Sequence, residues 1–149
     1  MKKYLIATSL VLFVLPCFAE NASEAKPVRN EVSVTINVKN ITKDQGTLMI
    51  ALVSDPTDFP KAIAASTLKI RVPAKGPILA HLFADVKPGR YAVSVYQDLD
   101  NNEKLNRNFI GIPNEPYGVS GKPGFGKPKF DDCSLDIQQS LQIEISLKD

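Results

Sequence analysis

Oxygen-bearing side chains recur at alternate positions where the segment VYQDLDNNEKLNRNF leaves its strand: Asp98, Asp100, Asn102 and Asn106. A hard cation needs this spacing, because alternate oxygens converge when a loop curls around it. Matched to a helix-loop-helix calcium loop, Asp98, Asp100 and Asn102 take the first three ligand positions, followed by the Lys104 carbonyl and Asn106. Two residues depart from that pattern. Glu103 stands where the sharp turn uses glycine, and Phe109 stands where a bidentate glutamate closes the shell. With two certain carboxylates, such a site belongs to the weak ~10⁻⁴–10⁻³ M range of extracellular modules. Glu115, Asp131 or Asp132 could return to complete it. The competing reading is a polar turn, in which Asp and Asn side chains accept from nearby backbone amides. The sequence is compatible with both.

Other chemistry is thin. His81 is the only histidine, so a Ser-His-Asp triad would have to use it. It lies in ILAHLFA, opposite Ile78, Ala80 and Leu82 if that run is a strand. YGVSG is not a nucleophile elbow, and one His with one or two Cys is too few for zinc. GKPGFGKP lacks the P-loop spacing, and its prolines remove amides a phosphate would need. Asp98 and Glu115 could pair as acid and base, but nothing in the sequence brings them together. The expectation is no enzyme, no catalytic residue, and no cofactor beyond weak calcium.

The chain has 149 residues, enough for one domain. Residues 1–19 read as a secretory signal. Lys2 and Lys3 precede an apolar run, Tyr4 to Leu15, too short to span a bilayer, and Cys17-Phe18-Ala19 offers small residues for cleavage before Glu20. Pro16 disfavours lipidation at Cys17. The expected location is periplasmic or secreted. Loss of Lys2 and Lys3 takes the bases from 18 to equality with the 16 acids, so no basic stripe suggests nucleic acid. Cys133 then stands alone, without an internal disulfide, and reads as a small buried hydrophobe on a strand. Residues 20–30, ENASEAKPVRN, read as a flexible leader.

From residue 31 the hydrophobic period is two. VSVTINV, STLKIRV, CSLDI and LQIEISL alternate. TLMIALV is nearly continuous, as for a strand covered on both faces. ILAHLFADV and KPGRYAVSVYQ follow turn signals. KAIAAST, residues 61–67, could form a short helical turn. About seven strands and no convincing helix predict an all-β fold, an immunoglobulin-like or transthyretin-like β-sandwich spanning 31–149.

One connection is far too long. Asp98 to Lys129 runs about thirty residues without periodicity, against ~4–6 for an ordinary loop. Its aromatics and glycine–proline punctuation predict an ordered cover, with Phe109, Ile112, Tyr117 and Phe130 substantially buried. The motif DLDNNEKLNRNFIGIPNEPYGVS followed by GKPKFDDC resembles an exported bacterial family, domain of unknown function 2141. That family's pattern reads D-x-N-x-N-G-K-L-D-x-N-F-L-G-I-P-x-E-x-Y-G-F-S. The resemblance implies a sandwich fold and no assigned reaction. Here Glu103 replaces the family glycine, and Asn106 replaces an Asp. The expected function is a binding module using the 98–132 loop, through Tyr96, Phe109, Glu115, Tyr117 and Phe125, to recognise an envelope protein, peptide or glycan as a monomer. The alternative is a structural or accessory subunit of an envelope assembly.

Overall fold

A computed structural model describes residues 30–62, 64 and 67–148. The expected signal segment and the leader up to residue 29 lie outside the described residues, as does Cys17. Among the described residues no helix is long and apolar enough to cross a membrane.

The alternating runs become strands: β1 (Val32–Lys39), β2 (Thr47–Val53), β3 (Leu68–Pro73), β4 (Ile78–Val86) and β5 (Gly89–Asp98). After the long connection come β6 (Tyr117–Val119), a single helical turn α1 (Phe130–Cys133), β7 (Ser134–Ile137) and β8 (Leu141–Ser146). Seven of the eight match the sequence expectation; β6 was not foreseen. Of the helical turn expected at 61–67, residues 63, 65 and 66 lie outside the described ones, and Ala62 takes a left-handed φ of 54°, which is not helical backbone.

The strands form two sheets packed face to face as a β-sandwich. One has the order β4-β1-β8, with β1 antiparallel to β4 and parallel to β8. The other has the order β3-β2-β5-β6, and β7 also pairs with β5. Between them lies the core: Val34, Ile36 and Val38 of β1 and Ile143 and Ile145 of β8 meet Leu48, Ile50 and Leu52 of β2 and Val93 and Val95 of β5. Period-two alternation puts each of these on its strand's inner face. The last residues of the chain tie the sheets together, with Tyr117 and Lys148 exchanging backbone hydrogen bonds of 3.0 and 2.9 Å.

Strand β4 is turned the other way from its apolar pattern. His81 does lie opposite Ile78, Ala80 and Leu82, but those three face solvent, while Leu79 and Phe83 pack on the core. His81 is half-buried, with its ring edge-on to Phe83 at 4.8 Å and 80°. A bulge between Val32 and Val34 shifts the register with β4.

The five-stranded sheet is apolar on its outer face as well. Ala51 and Val53 of β2 and Ala92 of β5 form a second small core with Phe59, Phe130 and Cys133. Phe59 and Phe130 meet edge-to-face at 6.1 Å, and the Arg90 guanidinium lies 5.6 Å over the Phe130 ring. Cys133 is buried as expected but ends α1 rather than sitting on a strand. Burial pushes its thiol pKa up, and Asp132 adds to that, so the thiol stays protonated and unreactive at neutral pH.

The expected burial of Phe109 and Ile112 is wrong. Phe109 is 99% exposed, and Ile112 is also exposed; Tyr117 is half-buried and only Phe130 is buried. Chemical denaturation should separate the two phenylalanines. Phe130→Ala, which empties the small outer core, should cost about 3–5 kcal/mol, whereas Phe109→Ala should stay within about 0.5 kcal/mol of wild type.

Candidate functional site

Asp98, the last residue of β5, is 0% exposed, and Glu115 beside it is 4% exposed. Each of their four carboxylate oxygens accepts a backbone amide. Asn102 N–H donates to Asp98 Oδ1 at 3.0 Å and Glu103 N–H to Oδ2 at 2.8 Å. Leu99 N–H donates to Glu115 Oε1 and Asn106 N–H to Oε2, both at 2.9 Å. Four amides that would otherwise be unpaired in an irregular loop thus find charged acceptors. Gly46 lets this turn sit against the β1–β2 loop. Its φ is 71°, and a side chain there would place Cβ 2.8 Å from Leu99 Cα.

Asp100 completes the group. One oxygen from each of Asp98, Asp100 and Glu115 lies within 4.8 Å of the others. Of the five residues matched to calcium positions, Asp98 and Asp100 converge with Glu115. Asn102 and Asn106 instead turn side-chain nitrogens toward Asp100, each donating to Oδ2 at 2.9 Å. The Asn106 amide is the main cause of a lowered Asp100 pKa. Lys104 donates its own N–H to Asn102 Oδ1 at 2.8 Å. Glu103 takes a left-handed φ of 63°, a conformation glycine adopts freely and other residues at a cost of about 1–2 kcal/mol. Its carboxylate pairs with Arg71 of β3.

Beyond this latch, formed by Asp98, Asp100 and Glu115 with the amides they hold, residues 107–113 form a small hairpin closed by an Arg107–Pro113 bridge. Asn108 organises it. Its Oδ1 accepts from Ile110 N–H at 3.1 Å and Ile112 N–H at 2.9 Å, while its own N–H donates to Ile112 O at 2.8 Å. The tip is ordered by Asn108, by Arg107 and by its own backbone hydrogen bonds, not by buried rings, and Phe109 stands free in solvent. The other half of the connection returns through Ser120. Its Oγ accepts from Val93 N–H at 2.7 Å and donates to the Cys133 carbonyl at 2.6 Å.

These segments cover part of the outer sheet face and leave a groove of ≈ 800 Å³ over the rest. Ser94 and Tyr96 of β5 and Tyr117 and Val119 of β6 lie along it, and Tyr96 and Tyr117 are direct cross-strand partners. Leu105, Ile110, Ile112 and Pro113 form one wall, Gly126 to Pro128 another, and Pro60 and Lys61 a third. A smaller hollow of ≈ 540 Å³ adjoins it toward Met49, Lys69 and Arg71. The groove has the size of a small-molecule or short-segment site.

The residues expected to bind therefore separate into three groups. Tyr96 and Tyr117 line the groove. Glu115 belongs to the latch. Phe109 and Phe125 (109% exposed) stand at loop tips and do not line it. Sequence reasoning missed Lys61, Leu105, Ile110, Ile112 and Val119. The repeated Ile around Gly111 is a signal for two of them; Lys61 carries none.

The Tyr96 phenol pKa is raised to about 12, first by burial, then by the carboxylates of Asp98, Glu115 and Glu103, with Arg71 opposing. It is thus a neutral hydrogen-bonding group throughout the physiological range. An unfolded phenol ionises at 10.0, so the neutral native form contributes its stability in full below that pH and loses it as pH rises toward about 12. Titration followed by phenolate absorbance should show one tyrosine of the native protein ionising near 12, and Tyr96→Phe should remove that component and flatten the alkaline loss of stability.

No match is found among curated proteins or among solved structures. A family model described as an uncharacterized protein conserved in bacteria (DUF2141) matches residues 36–144, which takes in the core strands, the latch and the groove. With most of its length matched by that model, the chain belongs to the DUF2141 family.

Proposed function

We propose that this chain is an exported binding module, acting in the periplasm or outside the cell, whose ligand lies in the groove over Tyr96 and Tyr117. The ligand is part of an envelope protein, a peptide or a glycan. One observation carries this reading: a long connection is held in a single path by buried carboxylates and Asn108, yet it leaves the middle of the outer sheet face open. A connection that served only to cover the sheet would close over it. Rigid walls on a β scaffold keep the ordering cost of binding low. Peptide and oligosaccharide arrays supply candidate ligands. Val119→Trp, which puts an indole into the groove, should weaken every genuine ligand at least about tenfold, by ~1.4 kcal/mol or more. Glu144→Gln on the opposite sheet should leave them unchanged. Ligands indifferent to Val119→Trp would move the site elsewhere.

A second reading is favoured by the meeting of Glu115 with Asp98 and Asp100. Among the described residues neither buried carboxylate has a salt-bridge partner, and buried charges ordinarily pair or coordinate a metal. The latch would then take calcium weakly, because four carboxylate oxygens already accept amides. Millimolar calcium should raise the melting temperature, magnesium should do less, and Asp100→Ala should abolish the shift. A melting temperature indifferent to calcium leaves only the self-capped turn.

A further inference from the structure

We infer that the groove selects an anionic ligand with an apolar body: a carboxylate, sulfonate or phosphate carried on rings or on an extended aliphatic segment. This rests on the groove being the binding site.

The charge lining the groove is one-sided. Lys61, Lys104, Arg107 and Lys127 border it, and Glu103 is the one acid among the described lining residues. Glu103 is already paired with Arg71. The other acids of this neighbourhood lie outside the lining. Asp98 and Glu115 are buried against backbone amides, and Asp100 holds two asparagine side chains. Arg107 spends one N–H on the Gly111 carbonyl, 2.9 Å away, and keeps the rest of its guanidinium. Four cations brought from three separate segments therefore ring the concavity, while its floor at Tyr96 feels the carboxylates of Asp98, Glu115 and Glu103.

Two physical consequences follow. Like charges gathered along the rim raise the local concentration of anions there. They also repel one another, so an anion that binds among them removes an unfavourable term that the free protein carries. Meanwhile the surface between the cations is apolar. Tyr96, Tyr117, Val119, Leu105 and Ile112 offer rings and aliphatic faces, with the Tyr96 hydroxyl as a donor among them. A purely ionic ligand would leave that surface wet, and a neutral apolar one would leave the cations uncompensated. The combination fits a ligand bearing both.

Two fluorescent dyes test this directly: anilinonaphthalene sulfonate and its uncharged parent N-phenylnaphthylamine, which share the same rings and differ by the sulfonate. The folded protein should bind the sulfonate about tenfold more tightly than the parent, and that advantage should shrink between roughly 10 and 200 mM salt. Replacing Lys61, Lys104 and Lys127 together by Gln should remove most of the advantage, read as the ratio of the two dyes' affinities within that one variant, with Arg107 kept for its bond to the Gly111 carbonyl. All three are exposed, so the fold should survive, and Lys87→Gln in the β4–β5 turn serves as the control. Amide shifts at Val119 should report both dyes in the groove. Equal affinity for the two dyes, or an advantage that persists undiminished in the triple variant, overturns the anion selectivity while the groove remains a binding site. Binding of neither dye removes the groove as a site for apolar anions, and the general binding reading would then rest on the array ligands alone.

Discussion

Asp98 and Glu115 bury two negative charges side by side, and the path of the long connection depends on how those charges are met. No lysine or arginine meets them among the described residues. Four backbone N–H groups do, two to each carboxylate, from Leu99, Asn102, Glu103 and Asn106. A hydrogen bond to a charged group is worth roughly 1.5–3 kcal/mol, and an unmet one in a buried site costs a similar amount. The arrangement therefore works in both directions. The carboxylates need the amides because burial has stripped their water, and the amides need the carboxylates because a loop has no ladder to join. Glu115 holds the near end of the loop and its return, so the wall formed by residues 105–113 projects from a fixed base.

That fixed base matters because the sheet beneath it has two apolar faces. The inner face of β2 and β5 is covered by the β4-β1-β8 sheet. The outer face needs another cover, which the connections supply unevenly. Phe59 and Phe130 close over Ala51, Val53 and Ala92 with interlocked rings, and Ser120 ties that corner to β5 and α1 at once. Nearer the latch no aromatic ring folds back, and Tyr96 and Tyr117 remain half-open. The groove is thus the part of a two-sided sheet that its loops do not reach across.

How much of this was legible in the sequence depends on whether a signal is local. The seven foreseen strands declare themselves by period two or by continuous apolar runs, and the structure keeps them within a residue or two. Strand β6 is three residues with a glycine at its centre, too short to show a period. The parallel pairing of β1 with β8 joins the two ends of the domain, and nothing in either strand's own residues specifies its partner. Strand β4 shows the limit of pattern reading. Ile78 and Leu82 look like a buried stripe, but the other face, with Leu79 and Phe83, is the one that meets the core. In the long connection, aromatic content suggested burial, whereas order comes from Asn108 and the two carboxylates. Side chains that bond their own neighbouring backbone leave no hydrophobic signature. The alternation of Asp98, Asp100 and Asn102 correctly marked a turn rich in oxygen. The decisive partner, Glu115, lay outside the alternating set and could be named only as one of several candidates.

The same connection explains why a near-neutral composition hides a charged site. Between Asp98 and Asp132 acids and bases occur in similar numbers, so the segment reads as balanced. Folding sorts them. Asp98 and Glu115 go inward to backbone amides, Glu103 goes to Arg71, and Asp131 goes to Arg90 at 3.1 Å. Carboxylates suit this work, because two acceptor oxygens on a short stem can hold two amides at once. Lysine has no acceptor and a long flexible stem, so it can take no part in capping N–H groups and stays at the rim. Lys104 and Lys127 are left there with Arg107 for that reason. The polarity of the groove is thus a by-product of how the loop is held shut: acids consumed in building the wall leave its open side to the bases.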